Sequence, residues 1–196
     1  MKILKFDELD STNNFAKTLI KEGNAEDGQI IYAVSQTAGR GQKTKSWESD
    51  PGKNLTFSLI IEPKNFEAKH LPLLSQSVFD GIVNYLKTVV SADEIRIKWP
   101  NDIYIGAKKI SGILIENTIQ DNRVLYSVIG VGLNVNQTEF SKNAGNPISL
   151  SLITNERYDL DAELVRLATC IVSSLNSLHF GENNPNIAEP LPDIEA

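Results

Sequence analysis

The sequence predicts an α+β fold, a mixed and largely antiparallel sheet flanked by helices. Three observations carry that expectation. Leu71, Leu74, Val78, Ile82, Leu86 and Val89 recur at three or four residues, and so do Leu164, Leu167, Ala168, Ile171, Val172, Leu175 and Leu178; each series marks one face of an amphipathic helix. Between these helices, runs rich in β-branched residues succeed one another across the turn sequences PND, GAK and DN. At 196 residues, with 41% hydrophobic and 22% charged, the chain has the composition of one ordinary globular domain with one core.

Taken in chain order, Ser11-Thr12-Asn13-Asn14 precedes Phe15, Ala16, Leu19 and Ile20 at helical spacing, and Gly23 follows, which predicts a short helix over 13–22. QIIYAVSQ at 29–36 and NLTFSLIIE at 54–62 predict two strands. The connection between them, 37–53, far exceeds a hairpin turn, and a long ordered loop in a compact domain is usually functional. A helix over 70–90 comes next. Strands at 94–99, 102–105, 109–119 and 123–136 then form an antiparallel meander, and a last helix covers 161–178. From His179 the chain reads HFGENNPNIAEPLPDIEA, a Pro-rich tail with few adjacent apolar residues, so the expected division is a domain over 1–178 and a tail over 179–196.

Several function classes are disfavoured. MKILKFDELD lacks the apolar core of a signal peptide, and no stretch approaches the roughly 18 apolar residues of a membrane helix, so the expectation is a cytoplasmic protein with no membrane partner. Cys170 is the single cysteine, and His70 and His179 match no zinc-ligand spacing. Asn54-Leu55-Thr56 and Asn136-Gln137-Thr138 match the glycosylation sequon, which without a secretory signal is accidental. A formal net charge of -6 argues against a nucleic-acid partner.

A basic loop stands out within that acidic chain. GRGQKTKSW, 39–47, gathers Arg40, Lys43 and Lys45 beside Gly39 and Gly41, whose freedom would let backbone amides turn toward an anion. It is neither a Walker A loop nor GxGxxG, and a solvated basic turn fits the residues too. Trp47 either covers a flat ring by stacking or pins the loop to the core. In KWPND, 98–102, Asn101 and Asp102 fit a hydrated Mg²⁺ or a plain Asx turn. Lys109 and Gly112 pair a point charge with close backbone approach, or else form a solvated hairpin end. Gly130 and Gly132 alternate with apolar residues in IGVGLNVN, which removes bulk from one face, and Asn134 falls on that face. GxSxG is absent, so the implied chemistry is the positioning of charged reactants.

Six pieces taken together, DSTN at 10–13, QTAGRGQKTKSW at 36–47, NLTFSLII at 54–61, KWPND at 98–102, KKISGILIE at 108–116 and IGVGLNVN at 129–136, resemble the catalytic domain of the biotin protein ligases, in that family's order. The resemblance covers residues 1 to 178. It implies the class II aminoacyl-tRNA synthetase / biotin ligase catalytic fold, with ATP and biotin as substrates, Mg²⁺, and a biotin carboxyl carrier protein domain as partner. The implied reaction makes biotinyl-5′-AMP and pyrophosphate, after which a carrier lysine takes the biotin.

Residue by residue, the resemblance implies that Ser11, Thr12, Asn13 and Gln36 bind biotin's head and ring, together with Arg40, Gly41, Gln42, Lys109, Gly112, Gly130 and Gly132. Lys109 and Arg40 are the implied catalytic residues. Arg40, Trp47, Asn101 and Asn134 are implied around the nucleotide, and Asp102 at the metal. Gln42 stands where the family often has arginine. DSTN begins at residue 10, which leaves no room for the winged helix of repressor members, and the tail stands where a small C-terminal β-barrel is usual. A lipoate or octanoate ligase or transferase of the same fold, and a non-catalytic biotin or adenylate-binding module, are the alternatives. Homodimer formation stays open.

Overall fold

The computed structural model describes residues 1–141 and 145–178; the tail expected over 179–196 lies outside the described residues. A seven-stranded sheet runs in the order β1-β2-β3-β7-β6-β5-β4. Strand β1 (Ile3–Leu9) pairs in parallel with β2 (Ile30–Gln36), and α1 (Thr12–Lys21) makes the crossover that a parallel pair requires. Every other pairing is antiparallel: β2 with β3 (Leu55–Ile61), β3 with β7 (Arg123–Leu133), and the meander β4 (Ile95–Lys98), β5 (Asp102–Ile105), β6 (Lys108–Gln120), β7. The sheet is therefore mixed and largely antiparallel, as expected.

Strand β1 is one element that the sequence reading lacks. Its ILKFDEL carries Lys5, Asp7 and Glu8 on an edge strand, where charge blunts further pairing and breaks the apolar alternation of a strand. The short helix α3 (Leu150–Thr154), capped by the Ser149 hydroxyl accepting from the Leu152 amide, is too brief to show a helical period.

The two faces of the sheet bury different partners. Helices α2 (Leu71–Leu86) and α4 (Leu160–Asn176) cover one face, over a core that includes Leu74, Phe79, Ile82, Leu167 and Ile171 with Ile129, Val131 and Leu133 of β7. Pro72 in the first turn of α2 and Asp159 accepting from the Asp161 and Ala162 amides at the start of α4 fix where the helices begin. Gly81 lets them touch: a Cβ there would lie 2.5 Å from Ile171 Cα. Helix α1 covers part of the other face, where Ala16 meets Ile31, Ile60 and Val128.

Strand alternation makes that second face change character along its length. Ile60, Val128 and Glu116 lie side by side on β3, β7 and β6; the next row is Ser58, Gly130 and Leu114, and the next is Thr56, Gly132 and Gly112. Bulk under α1 thus gives way to glycine beyond its N-terminus. The result is a trough floored by backbone.

Among the described residues no helix is long and apolar enough to cross a membrane. Asn54 and Asn136 of the two sequon matches are committed internally, Asn54 to the Val135 amide and Gln137, and Asn136 to the Tyr158 carbonyl.

Candidate active site

The trough is walled by the N-terminus of α1. Ser11, Thr12 and Asn13 are all buried there, and Ser11 takes the N-cap position without a side-chain capping bond. The Thr12 amide donates to Gln36 Oε1 at 2.7 Å, which draws Gln36 from the end of β2 into the same wall. The Ser58 hydroxyl donates to Asn13 Oδ1 at 2.6 Å and lies 2.7 Å from the Thr12 hydroxyl. Asn13 is wedged over Gly130, for a Cβ on that glycine would come within 2.3 Å of Asn13 Oδ1. Just upstream, Asp10 accepts from Asn14, and that hydrogen bond holds its carboxyl below the usual range.

The basic loop forms the roof. It folds back on itself as a small hairpin, with the Gly41 amide on the Lys45 carbonyl at 2.8 Å and the Trp47 amide on the Gly39 carbonyl at 3.0 Å. Its left-handed residue is Lys43, at φ 59, and neither Gly39 nor Gly41 has a positive φ. Close approach explains Gly39 instead: a Cβ would lie 2.4 Å from the Trp47 carbonyl oxygen. Trp47 turns its indole down onto the floor, where a Cβ on Gly132 would reach 2.3 Å from the ring and one on Gly112 2.8 Å. The residue therefore both covers the trough and pins the loop. Its Nε1 is buried without a hydrogen-bond partner, a cost that a polar ligand atom would remove.

Two connected chambers result. The inner one, about 70 Å³, lies between the α1 wall, the glycine floor and Arg40, Gly41 and Gln42, and Asn101 and Lys109 reach its open end. The outer one, about 490 Å³, is bounded by Asp102, Tyr104, Asn134 and Pro147. Lys45, Trp47 and Lys109 border both. Small-molecule sites commonly enclose roughly 300–1,000 Å³, so the inner chamber is closed down on itself and a ligand there has to lift the indole.

Charge concentrates at the junction. Lys109 Nζ lies 2.6 Å from Asp102 Oδ1 and 5.5 Å from the Trp47 ring centroid. That Asp102 oxygen is buried, and its partner is the Lys109 ammonium. Among the described residues no group of three or more His, Cys, Asp and Glu side chains gathers to hold a metal. Asn134 borders the outer chamber and also ties elements together. Its side-chain nitrogen donates to the Ile148 carbonyl at 3.0 Å and the Lys109 carbonyl at 3.4 Å, which fastens the end of β7 to the strand that carries Lys109. The Arg40 guanidinium is likewise engaged, by Asn14 and by Glu116.

Several residues at the site escape sequence reasoning. Ser58 and Thr56 read as ordinary strand residues, although their place opposite Gly130 and Gly132 follows once the register is known. Glu116 has a signal in the alternation Gly112, Leu114, Glu116, which puts all three on the trough face.

Comparison with known proteins places the chain in a family. Residues 5–134 match the model of the Biotin/lipoate A/B protein ligase family. The bifunctional ligase/repressor BirA of Bacillus subtilis (strain 168) is 33% identical over 171 residues, 86% of this chain and 52% of that protein. The chain spans about half the length of such bacterial relatives. The biotin–protein ligase of Homo sapiens is 29% identical over 203 residues, 97% of this chain and 27% of that one. Among solved structures, the Aquifex aeolicus biotin protein ligase in complex with biotin and ATP is similar with a TM-score of 0.71 at 31% identity, over 90% of this chain and 71% of that chain. The fold is thus the biotin ligase catalytic fold of class II aminoacyl-tRNA synthetase type. With the family model matching well over half of its residues, this chain belongs to the Biotin/lipoate A/B protein ligase family.

Proposed function

We propose that this protein is an ATP-dependent biotin–protein ligase. The observation that carries the reading is the pair of chambers meeting at Lys109 and Trp47. The inner chamber ends in polar groups, Ser11, Thr12 and Gln36, suited to the N–H and C=O of biotin's ureido ring and poorly matched to a plain acyl tail. Once the Trp47 indole lifts from Gly112 and Gly132, their backbone gives the valeryl chain a path toward the junction. The outer chamber has the size for a nucleotide, and the Aquifex aeolicus relative is a complex with biotin and ATP.

In the proposed first step a biotin carboxylate oxygen bonds to the α-phosphorus and the bond to pyrophosphate breaks. Two anions have to be held in contact, and Lys109 stands where they meet. Lys45 borders the same junction and adds a second cation. Arg40 borders the inner chamber from the roof, where Asn14 and Glu116 hold its guanidinium. Asp102, a mostly buried carboxylate at the edge of the outer chamber, would hold Mg²⁺ together with the neighbouring Asn101, water and phosphate oxygens once Lys109 turns to the reacting anions. That ion would neutralise phosphate charge when bound. In the second step a lysine amine of a biotin carboxyl carrier domain attacks the anhydride carbonyl and AMP leaves.

Incubation with biotin, MgATP and an apo carrier domain tests the reading. It predicts biotin-dependent pyrophosphate release and a carrier labelled on one lysine, with lipoate or octanoate giving neither. Tight biotin binding with neither product would mark a binding module instead.

A further inference from the structure

We infer that Glu116 is the positioning residue that fastens the basic hairpin over the inner chamber, an assignment that rests on the biotin-ligase reading for its catalytic consequence. One carboxylate joins three parts of the site. Arg40 Nη1 donates to Glu116 Oε2 at 2.9 Å and Nη2 donates to Oε1 at 3.0 Å, a two-pronged grip on the roof. Asn13 Nδ2 donates to Oε2 at 2.9 Å from the end wall, and Lys17 of α1 closes an ion pair with the other oxygen.

Exposure favours a real tether over a loose surface contact. The Glu116 side chain is 21% exposed and that of Arg40 38%, and a two-pronged pair within a network is the geometry in which a partly exposed pair contributes. Burial alone would push the Glu116 carboxyl up, yet Lys17, Asn13 and Arg40 together hold it below the usual range.

The tether reaches the chamber from two sides. Through Arg40 it holds the first strand of the hairpin whose far end carries Trp47, since Arg40 pairs with Ser46 across that hairpin. Through Asn13 it fixes the amide that stands over Gly130 and accepts from Ser58. Glu116 touches no substrate in this arrangement. It sets how firmly the roof closes, so its loss weakens ligand retention and leaves the reacting groups at Lys109 in place.

The test compares Glu116→Gln with the parent. Glutamine keeps the length and can still accept from Asn13, but presents no charge to Arg40. Limited trypsin digestion without ligand reads cleavage after Arg40, Lys43 and Lys45, and pyrophosphate release reads KM for biotin against kcat. The proposal expects loop nicking about tenfold faster and KM for biotin about tenfold higher, with kcat within about twofold of the parent. Unchanged nicking overturns it. Faster nicking with an unmoved KM also overturns it, because the carboxylate would then serve the fold alone. Glu116→Asp keeps the charge but draws the carboxylate back from Arg40 by one methylene, so it has to move both readouts in the same direction, and a Glu116→Gln variant that fails to fold does not shield the idea. The ligase reading stands or falls on the parent's own pyrophosphate release, and the digestion reports on the tether independently of it.

Discussion

Lys109 shows how one residue links the two chambers. Its ammonium neutralises Asp102 and lies beside the Trp47 face, so its role is electrostatic, with a smaller part in packing. Lys109→Ala is expected to keep the fold while slowing adenylate formation about a hundredfold or more, the scale of losing one well-placed charge at a reacting anion. Single-turnover pyrophosphate release at saturating biotin measures it, and a rate within about threefold of the parent would remove Lys109 from the chemistry. Gly132 makes the complementary case. A methyl group there would enter the space that the indole occupies, 2.3 Å from a ring atom, so Gly132→Ala is expected to lift Trp47 from the floor. The outcome is red-shifted tryptophan emission and biotin affinity reduced about tenfold or more, read by fluorescence and calorimetry.

Elements differed in how far the sequence revealed them. Helices α2 and α4 announce themselves because each presents a continuous apolar stripe to one core, and the meander shows because β-branched runs alternate with turn residues. Strand β1 stays hidden because three of its seven residues are charged, and α3 because five residues hold little more than one turn. The roof was legible as a loop but not as a hairpin. Its shape depends on Gly39 meeting the Trp47 carbonyl and on Lys43 adopting a left-handed turn, which no local preference for lysine announces. Motif residues that line the chambers are visible in the sequence, whereas the place of Ser58 and Glu116 beside them follows only from strand register.

Away from the site, the clasp between α2 and α4 is a separate element-scale device. The Tyr85 hydroxyl donates to Glu163 Oε2 at 2.6 Å within the core, and Arg166 grips the same carboxylate. Burial, then the Glu163 carboxylate, pushes the Tyr85 phenol far above its ordinary 10.0. A folded-state value raised in this way gives stability that is whole below pH 10 and falls as pH rises beyond it. Tyr85→Phe is expected to cost about 1–3 kcal/mol in denaturant unfolding at neutral pH. It should also flatten the alkaline decline, and biotin binding should not change.

At the scale of the whole molecule, the sheet holds the helical core on one face and the chambers on the other, so stability and binding are separable except where a site group is also a structural one. Glu116 is such a group. Its carboxyl titrates below its ordinary 4.5, which means the folded state favours the charged form and gains stability above that pH. That gain is lost as the solution is acidified through the folded value, when the partners Arg40, Lys17 and Asn13 face a neutral acid. The parent should therefore lose stability more steeply than Glu116→Gln as pH falls below about 4.5, in urea unfolding followed at successive pH values.

The central claim is that the two chambers bring a carboxylate and an α-phosphate together at Lys109. Its most direct test is acid quench and mass analysis of the protein after incubation with biotin and MgATP and no carrier. Biotinyl-5′-AMP is expected to be retained by the protein, with one pyrophosphate released for each intermediate formed. Recovery of biotin and ATP unchanged from a folded, biotin-binding protein would contradict it.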